Sequence, residues 1–398
     1  MRITAVETVR LPPYDNILWL RLHTDEGLIG LGETFRGAAG VEAHIHAEIA
    51  PKLIGADPSR IDAIAWDLAR PYIGFRSSGT EMRAASAVDI ALWDIAGQAT
   101  GRPIVDLLGG ATRSSIATYN TCAGYFYNAR GGRRAVAGSE TATGPYDDQI
   151  AFSRDAGALA LSLLEMGIGA MKIWPFDPFA GATNGQMITP AEIDRALVPF
   201  RQIREASGTA MQVMVELHSM WDVTAALTIA RAMREFDPFW MEDPIKMTDP
   251  AALADYRRMS GLPICASEIL ATRAQFLDIL RADAVDYVML DLGWCGGISE
   301  AKKIGTLAEA HQRPVAPHDC TGPVVFAAST HLALNLPNAV FMESVRAYWS
   351  GWYRDLVTAL PVVENGRVTV PPGPGLGLAL QPDVLARGTV RTTTEKDL

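Results

Sequence analysis

Met214-Val215-Glu216, Trp240-Met241-Glu242 and Ala266-Ser267-Glu268 are three short segments that each end on a carboxylate and lead into a helix-like stretch. Their acids lie 26 residues apart in both steps. The beat continues with Asp291 after Tyr287-Val288-Met289-Leu290, 23 residues on, then His318 after Val315-Ala316-Pro317, 27 further, and Glu343 after Val340-Phe341-Met342, another 25. A β-rich apolar run followed by a helical run, repeated at a period in the twenties, predicts stacked β-α units with parallel strands buried on both faces. If the units close into a barrel, every strand opens its C-terminal end on one mouth, and these six side chains converge there from distant points of the chain. One acid after one strand would ordinarily cap the next helix. Six polar groups in phase point to a shared site.

Upstream, the barrel is expected to begin at Ser115-Ile116-Ala117-Thr118-Tyr119. Residues 120–149 follow as a long segment with Tyr125, Phe126, Tyr127 and the cluster Arg130, Arg133 and Arg134. Leaving the catalytic end of the first barrel strand, it is expected to touch substrate. A helix over 150–166 leads to the second strand, Ala170-Met171-Lys172-Ile173-Trp174. A further insertion through Thr189 explains why Glu216 comes 44 residues after Lys172. Before the barrel, residues 3–9, 17–22 and 28–33, with the turn Asp25-Glu26-Gly27, read as an antiparallel meander, and the Ala-rich stretch from Glu81 to Ala96 reads as a helix. Pro12 to Asn16 is placed to reach over the mouth as a lid. After Glu343, Val362 to Val370 reads as a hairpin around Asn365-Gly366. The expected organisation is an α+β capping domain over 1–114, a TIM-type barrel over 115–355, and a segment over 356–398 that packs back on the capping domain.

Composition narrows the class. At 398 residues the chain has room for a barrel of about 250 residues and a second domain. The hydrophobic share of 48% and charged share of 20% suit a globular enzyme with an ample core. A formal net charge of −10 argues against nucleic acid or an anionic membrane as partner. The four cysteines show neither C-x-x-C spacing nor a disulfide framework, which points to a reducing compartment. Neither a signal peptide nor a membrane span is legible, so a cytoplasmic location is expected.

Three carboxylates on successive strand ends, Glu216, Glu242 and Glu268, offer all-oxygen ligation that suits a hard divalent cation, above all Mg2+. Without an ion they would repel one another strongly. Lys172 supplies a second positive charge. Removing a proton next to a carboxylate leaves a dianionic enolate, so cations placed at that carboxylate lower the barrier as charge develops. His318 and Asp291 end neighbouring strands and make a natural imidazole-carboxylate pair, with the acid fixing the tautomer of a base. His23, His44, His46, His311 and His331 fall in cap or helix positions and read as structural. His218 lies two residues past Glu216, on the strand facing that of His318 across an eight-stranded mouth. One imidazole would take a proton from C2 and the other protonate a departing C3 hydroxyl.

Trp240-Met241-Glu242-Asp243-Pro244, Ser267-Glu268, Asp291 with Gly296-Gly297-Ile298-Ser299-Glu300, and Ala316-Pro317-His318 resemble the enolase superfamily in its mandelate racemase subgroup, over nearly the whole chain. That resemblance implies an α/β fold, a modified (β/α)7β barrel under an N-terminal α+β capping domain, and ene-diolate chemistry with Mg2+ and a Lys or His base, an association known for the superfamily. It matches Glu343 to the last-strand carboxylate, a candidate hydrogen-bond donor to substrate. Glu216-Leu217-His218 is similar to the galactonate dehydratase type of acid-sugar dehydratase. Two departures stand out. Lys172-Ile173-Trp174 places Trp174 where many relatives carry a second lysine, making Trp174 a substrate-contact candidate in place of a base. Glu216 replaces the commoner aspartate.

The sequence thus predicts a Mg2+-dependent dehydratase of an aldonate or aldarate, acting as a homo-oligomer on a small molecule. The catalytic set is His318, Asp291, His218, Lys172 and Glu343, with Lys172, Trp174 and Glu343 touching substrate. The alternatives are an epimerase, racemase or cycloisomerase using the same enolate, or a barrel retained only for binding. Arg346 and the Arg130 cluster are expected on the solvated surface.

Overall fold

Each β-rich run of the repeat becomes a short buried strand and each helical run a crossover on the outside, since parallel neighbours can be joined only by a long connection. The computed structural model describes residues 1–12, 14–70, 73–74, 77–128 and 144–398. A four-stranded antiparallel sheet comes first in the chain: β1 (Ile3–Arg10), β2 (Ile17–Thr24) and β3 (Ile29–Phe35), flanked on the β1 edge by a strand from the far end of the chain. The helix Thr80–Thr100 lies across β3. Its Ala87 comes so near that a Cβ on Gly32 would stand 1.9 Å from the Ala87 carbonyl oxygen, so glycine in β3 and alanine in the helix are two halves of one close approach.

The barrel strands are β4 (Ile116–Thr121), β5 (Ala170–Ile173), β6 (Gln212–Glu216), β7 (Trp240–Glu242), β8 (Ile264–Ala266), β9 (Tyr287–Leu290), β10 (Val315–Pro317) and β11 (Met342–Ser344). They pair in parallel in sequence order, and β11 pairs β4. Backbone bonds from Val340 N to Val315 O (2.9 Å) and from Val315 N to Asn338 O (2.9 Å) bring the last unit alongside β10 and close the ring. Tyr119, Ala170, Met214, Trp240, Cys265, Met289 and Ala316, one from each of seven successive strands, pack together with Phe341 and fill the barrel's interior. Large and small side chains mix in this layer, as a closed barrel's taper requires.

In the 356–398 segment, the hairpin β12 (Val362–Glu364) and β13 (Arg367–Thr369) lies against barrel strand β4, while β14 (Thr389–Thr394) pairs antiparallel with β1 of the capping sheet. The capping domain shares an apolar core with the barrel, in which Trp19, Leu31, Phe35 and Ile90 belong to one cluster with Trp294, Ile298 and Val324, and buried polar bonds fix the docking. The buried Glu33 accepts from Val325 N (2.8 Å), in the first turn of the helix Pro323–Asn335, and from Trp19 Nε1 (2.7 Å). Thr34 Oγ1 donates to Gly293 O (2.7 Å), and Asp89 accepts from Ser299 N (2.9 Å). No helix among the described residues is long and apolar enough to cross a membrane.

One expectation is revised. Arg346 is not on the surface: it is 2% exposed, and its Nη2 and Nε donate to Asp148 at 2.6 and 3.2 Å, tying β11 to the helix Asp148–Glu165. The position just past a barrel strand and the apolar Val345 before it put the guanidinium inside the wall. The lid segment has Tyr14 stacked on Trp352 at 4.2 Å, while Pro13 lies outside the described residues. Arg130, Arg133 and Arg134 lie outside them too. Replacing Arg346 by Met strands Asp148 as a buried unpaired acid and should cost about 3–5 kcal/mol of stability in urea unfolding. A loss below about 1 kcal/mol would show that the pair is solvated after all.

Candidate active site

Along a strand, residues two apart share a face. The residues two beyond the interior layer are Thr121, Lys172, Glu216, Glu242, Ser267, Asp291, His318 and Glu343, and they stand at the mouth as a polar layer above an apolar one. Within it, β8 shifts phase by one: Ser267 turns its hydroxyl to Asp243 (2.7 Å), and Glu268 joins the cluster. One carboxylate oxygen from each of Glu216, Glu242 and Glu268 lies within 4.8 Å of the others.

Lys172, 2% exposed, points its Nζ at Glu343 Oε1 (3.0 Å), Glu216 Oε2 (3.3 Å) and Glu242. Glu343 also accepts from the Asp319 amide (3.0 Å) and from the hydroxyl of Thr121, a contact that period two makes legible once Tyr119 is known to face inward. One lysine cannot neutralise this many acids. Burial and then Glu216 push the Glu242 carboxyl well above its usual range. Burial, then Glu216 and Glu268, push neighbouring Asp243 up to about 8. Burial acts the same way on Glu216 and Glu268, but His218 and Lys172 bring the first below the usual carboxylate range, and His318 brings the second down to about 2. The Asp243 Oδ1 atom is buried without a hydrogen-bond partner among the described residues. Converging oxygens, surplus negative charge and an orphaned acceptor fit a hard divalent cation held by Glu216, Glu242 and Glu268.

Two imidazoles face this cluster from strands on opposite sides of the ring. His318 Nδ1 lies 2.7 Å from Asp291 Oδ2, and its Nε2 lies 2.7 Å from Glu268 Oε2. Asp291 is anchored in turn by the Gly293 amide at 2.7 Å. Burial lowers the His318 pKa, but Glu268, Glu343 and Asp291 outweigh it and hold the value well above the ordinary one. His218 follows β6 with φ 49° and its amide on Glu216 Oε1 (2.7 Å). Its Nδ1 lies 2.7 Å from Asp177 Oδ2, and its Nε2 3.3 Å from the Tyr127 hydroxyl. Trp174 packs its ring against both Tyr127 and His218, 5.6 Å between centroids in each case. The sequence reading missed Asp177, which opens the short helix Asp177–Ala180 inside the second insertion; an acid before a proline reads as a helix start, and nothing local ties it to a histidine 41 residues away.

Residues 3–109 match the family model of the mandelate racemase/muconate lactonizing enzyme N-terminal domain, and residues 155–384 that of the enolase C-terminal domain-like family. A mandelate racemase subgroup enolase from Agrobacterium tumefaciens, solved with a succinimide residue, is 50% identical, with all of both chains covered and a TM-score of 0.88. D-galactonate dehydratase of Xanthomonas oryzae pv. oryzae (strain PXO99A) is 30% identical over 97% of this chain and 94% of its own length. D-gluconate dehydratase of Thermoproteus tenax is 30% identical over 92% of this chain and 69% of its own.

Burial lowers the His218 pKa, but Asp177 and then Glu216 raise it, to about 9. A raised folded-state value means that the charged pair stabilises the fold fully below about pH 6.5, the unfolded value, and that this contribution is lost as pH climbs through about 9. Asp177→Asn should bring the His218 titration, followed by NMR of the ring protons, down toward the ordinary value. An unmoved titration would mean that Glu216 alone carries the shift.

Proposed function

Because this chain belongs to the mandelate racemase subgroup of the enolase superfamily, we propose that it is a hydro-lyase of sugar acids, removing water from an aldonate or aldarate to give a 2-keto-3-deoxy acid. One observation carries the reading: two imidazoles on opposite sides of one mouth, each held at Nδ1 by an aspartate, His318 with its Nε2 on Glu268 and His218 with its Nε2 beside the Tyr127 hydroxyl and its amide on Glu216. A racemase also needs two groups across one carbon, but His218 lies beside Tyr127 and Asp177, with a pKa of about 9, and is poised to give a proton at neutral pH. The near-full-length likeness to D-galactonate dehydratase supports the same outcome.

Glu216, Glu242 and Glu268 are the residues that would hold Mg2+, which supplies positive charge at the substrate carboxylate when bound. Lys172, steadied by Glu343, adds a second positive charge there as the enolate forms. His318 Nε2 takes the C2 proton, and the C–H electron pair moves into the C1–C2 bond. Glu268 is the chief charge keeping a proton on His318, and a cation held by that carboxylate would offset it, favouring the neutral imidazole that a base needs. The electron pair then forms the C2–C3 double bond as the C3–O bond breaks. His218 Nε2 protonates the leaving hydroxyl, water departs, and the enol tautomerises to the 2-keto acid. Asp291 and Asp177 hold the two tautomers. Trp174 packs against the His218 ring and fixes its position.

Replacing His218 by Asn should lower dehydration by about 10²–10⁴-fold, the usual worth of a positioned general acid, while exchange of the C2 proton with D2O continues. His318→Asn should stop both. Undiminished dehydration in the His218 variant would sink the acid assignment. Glu242→Gln should weaken Mg2+ binding, read by calorimetry, by about 100-fold or more.

A further inference from the structure

The capping domain brings two arginines over the wall of the mouth where His318 stands. Arg36 follows β3 directly, with φ 69°, and its guanidinium carbon lies 5.7 Å from the centre of the Trp294 ring. Arg83, on the helix Thr80–Thr100, sits 4.7 Å from the same ring. The Trp294 ring is in turn 5.8 Å from that of His318. Trp294 Nε1 and Arg83 Nη1 both donate to the Phe35 carbonyl oxygen, at 3.0 and 2.8 Å, so indole and guanidinium are fixed by one acceptor. Glu268 and Asp291 both act electrostatically on Arg83, which places it within the field of the site. Among the described residues neither arginine has a carboxylate partner, and they face each other's charge: Arg36 disfavours the charged form of Arg83. A non-glycine residue held at positive φ beside a like charge costs free energy, and that cost persists where a ligand offsets it.

Resting on the dehydratase reading, we infer that Arg36 and Arg83 receive the distal carboxylate of the substrate, so that the preferred substrate is a diacid, an aldarate. A planar carboxylate meets guanidinium groups with paired charge-assisted hydrogen bonds, which a terminal hydroxymethyl group cannot match. The metal-and-lysine end would take C1, His318 would stand at C2, and the arginines would grip the far end from the capping side. The feature is not legible in sequence, because residues 36, 83 and 294 meet only when the capping domain closes on the barrel.

The test is calorimetric binding of galactarate and galactonate to the Mg2+-loaded protein in a His318→Asn background, which leaves ligand intact, with Arg36→Gln and Arg83→Gln added separately. Turnover of both acids by the otherwise unaltered enzyme and by the arginine variants is measured alongside. The expected result is tighter binding of the diacid and a fall of at least about tenfold in the diacid-to-monoacid ratio in each variant, for Kd and for kcat/KM alike. The ratio is taken on one preparation, so a misfolded fraction cancels, and Arg36→Lys should retain part of the preference. Equal binding of the two acids, or a ratio unmoved by both variants, overturns the inference even if galactonate is dehydrated. An arginine-dependent preference without dehydration of either acid upholds the subsite and removes the reaction assigned above.

Discussion

Period-two alternation in a closed parallel barrel is the constraint on which the rest depends. It sets one ring of packing, running from Tyr119 to Phe341, and directly above it a ring of polar groups that cannot turn away without breaking the layer beneath. The acids are therefore confined together, buried, with one lysine among them. Burying acids beside like charges is costly, and the cost appears as the carboxyls of Glu242 and Asp243, raised first by burial and then by Glu216. A dication held by these acids would relieve that confinement, and in the proposed reaction the same charge would serve the enolate.

Most of this centre is legible in the amino-acid sequence, because its signal is periodic. Glu216, Glu242, Asp291, His318 and Glu343 each end a β-rich run, and a barrel places strand ends together whatever the loops do. Lys172 follows from the same logic one unit earlier. The partners that come from insertions are hidden. Asp177 and Tyr127 reach His218 from two long connections whose paths no pattern sets, and Arg346 reads as a surface residue because its burial depends on Asp148, on a helix 198 residues away in the chain. The shift at β8, where Glu268 takes the place that Ser267 would hold by phase, shows that the period locates a strand end to within one residue and no better.

The two histidines illustrate how environment divides labour between identical groups. Both have an aspartate at Nδ1. His318 faces Glu268 and Glu343 from within the barrel wall, whereas His218 sits partly open beside Trp174 and Tyr127. The first is under the control of a carboxylate that a cation can claim; the second keeps its own acid, Asp177, whatever occupies the centre. In the proposed reaction this difference in surroundings is what would let one imidazole serve as base and the other as acid at one pH.

Glu33 has a bearing on how such molecules can be recombined. It leaves the capping sheet to bond the first turn of the helix after the His318 strand, and Gly322 leaves the space for it: a Cβ there would stand 2.4 Å from the Glu33 carboxyl carbon. Acid and glycine belong to different domains yet form one joint. A chimera that grafts a foreign cap onto this barrel would inherit the docking only if the donor carries an acid at the matching place. Otherwise it would bury an idle helix terminus beneath the graft, and exchange between family members is therefore limited to caps bearing the same key.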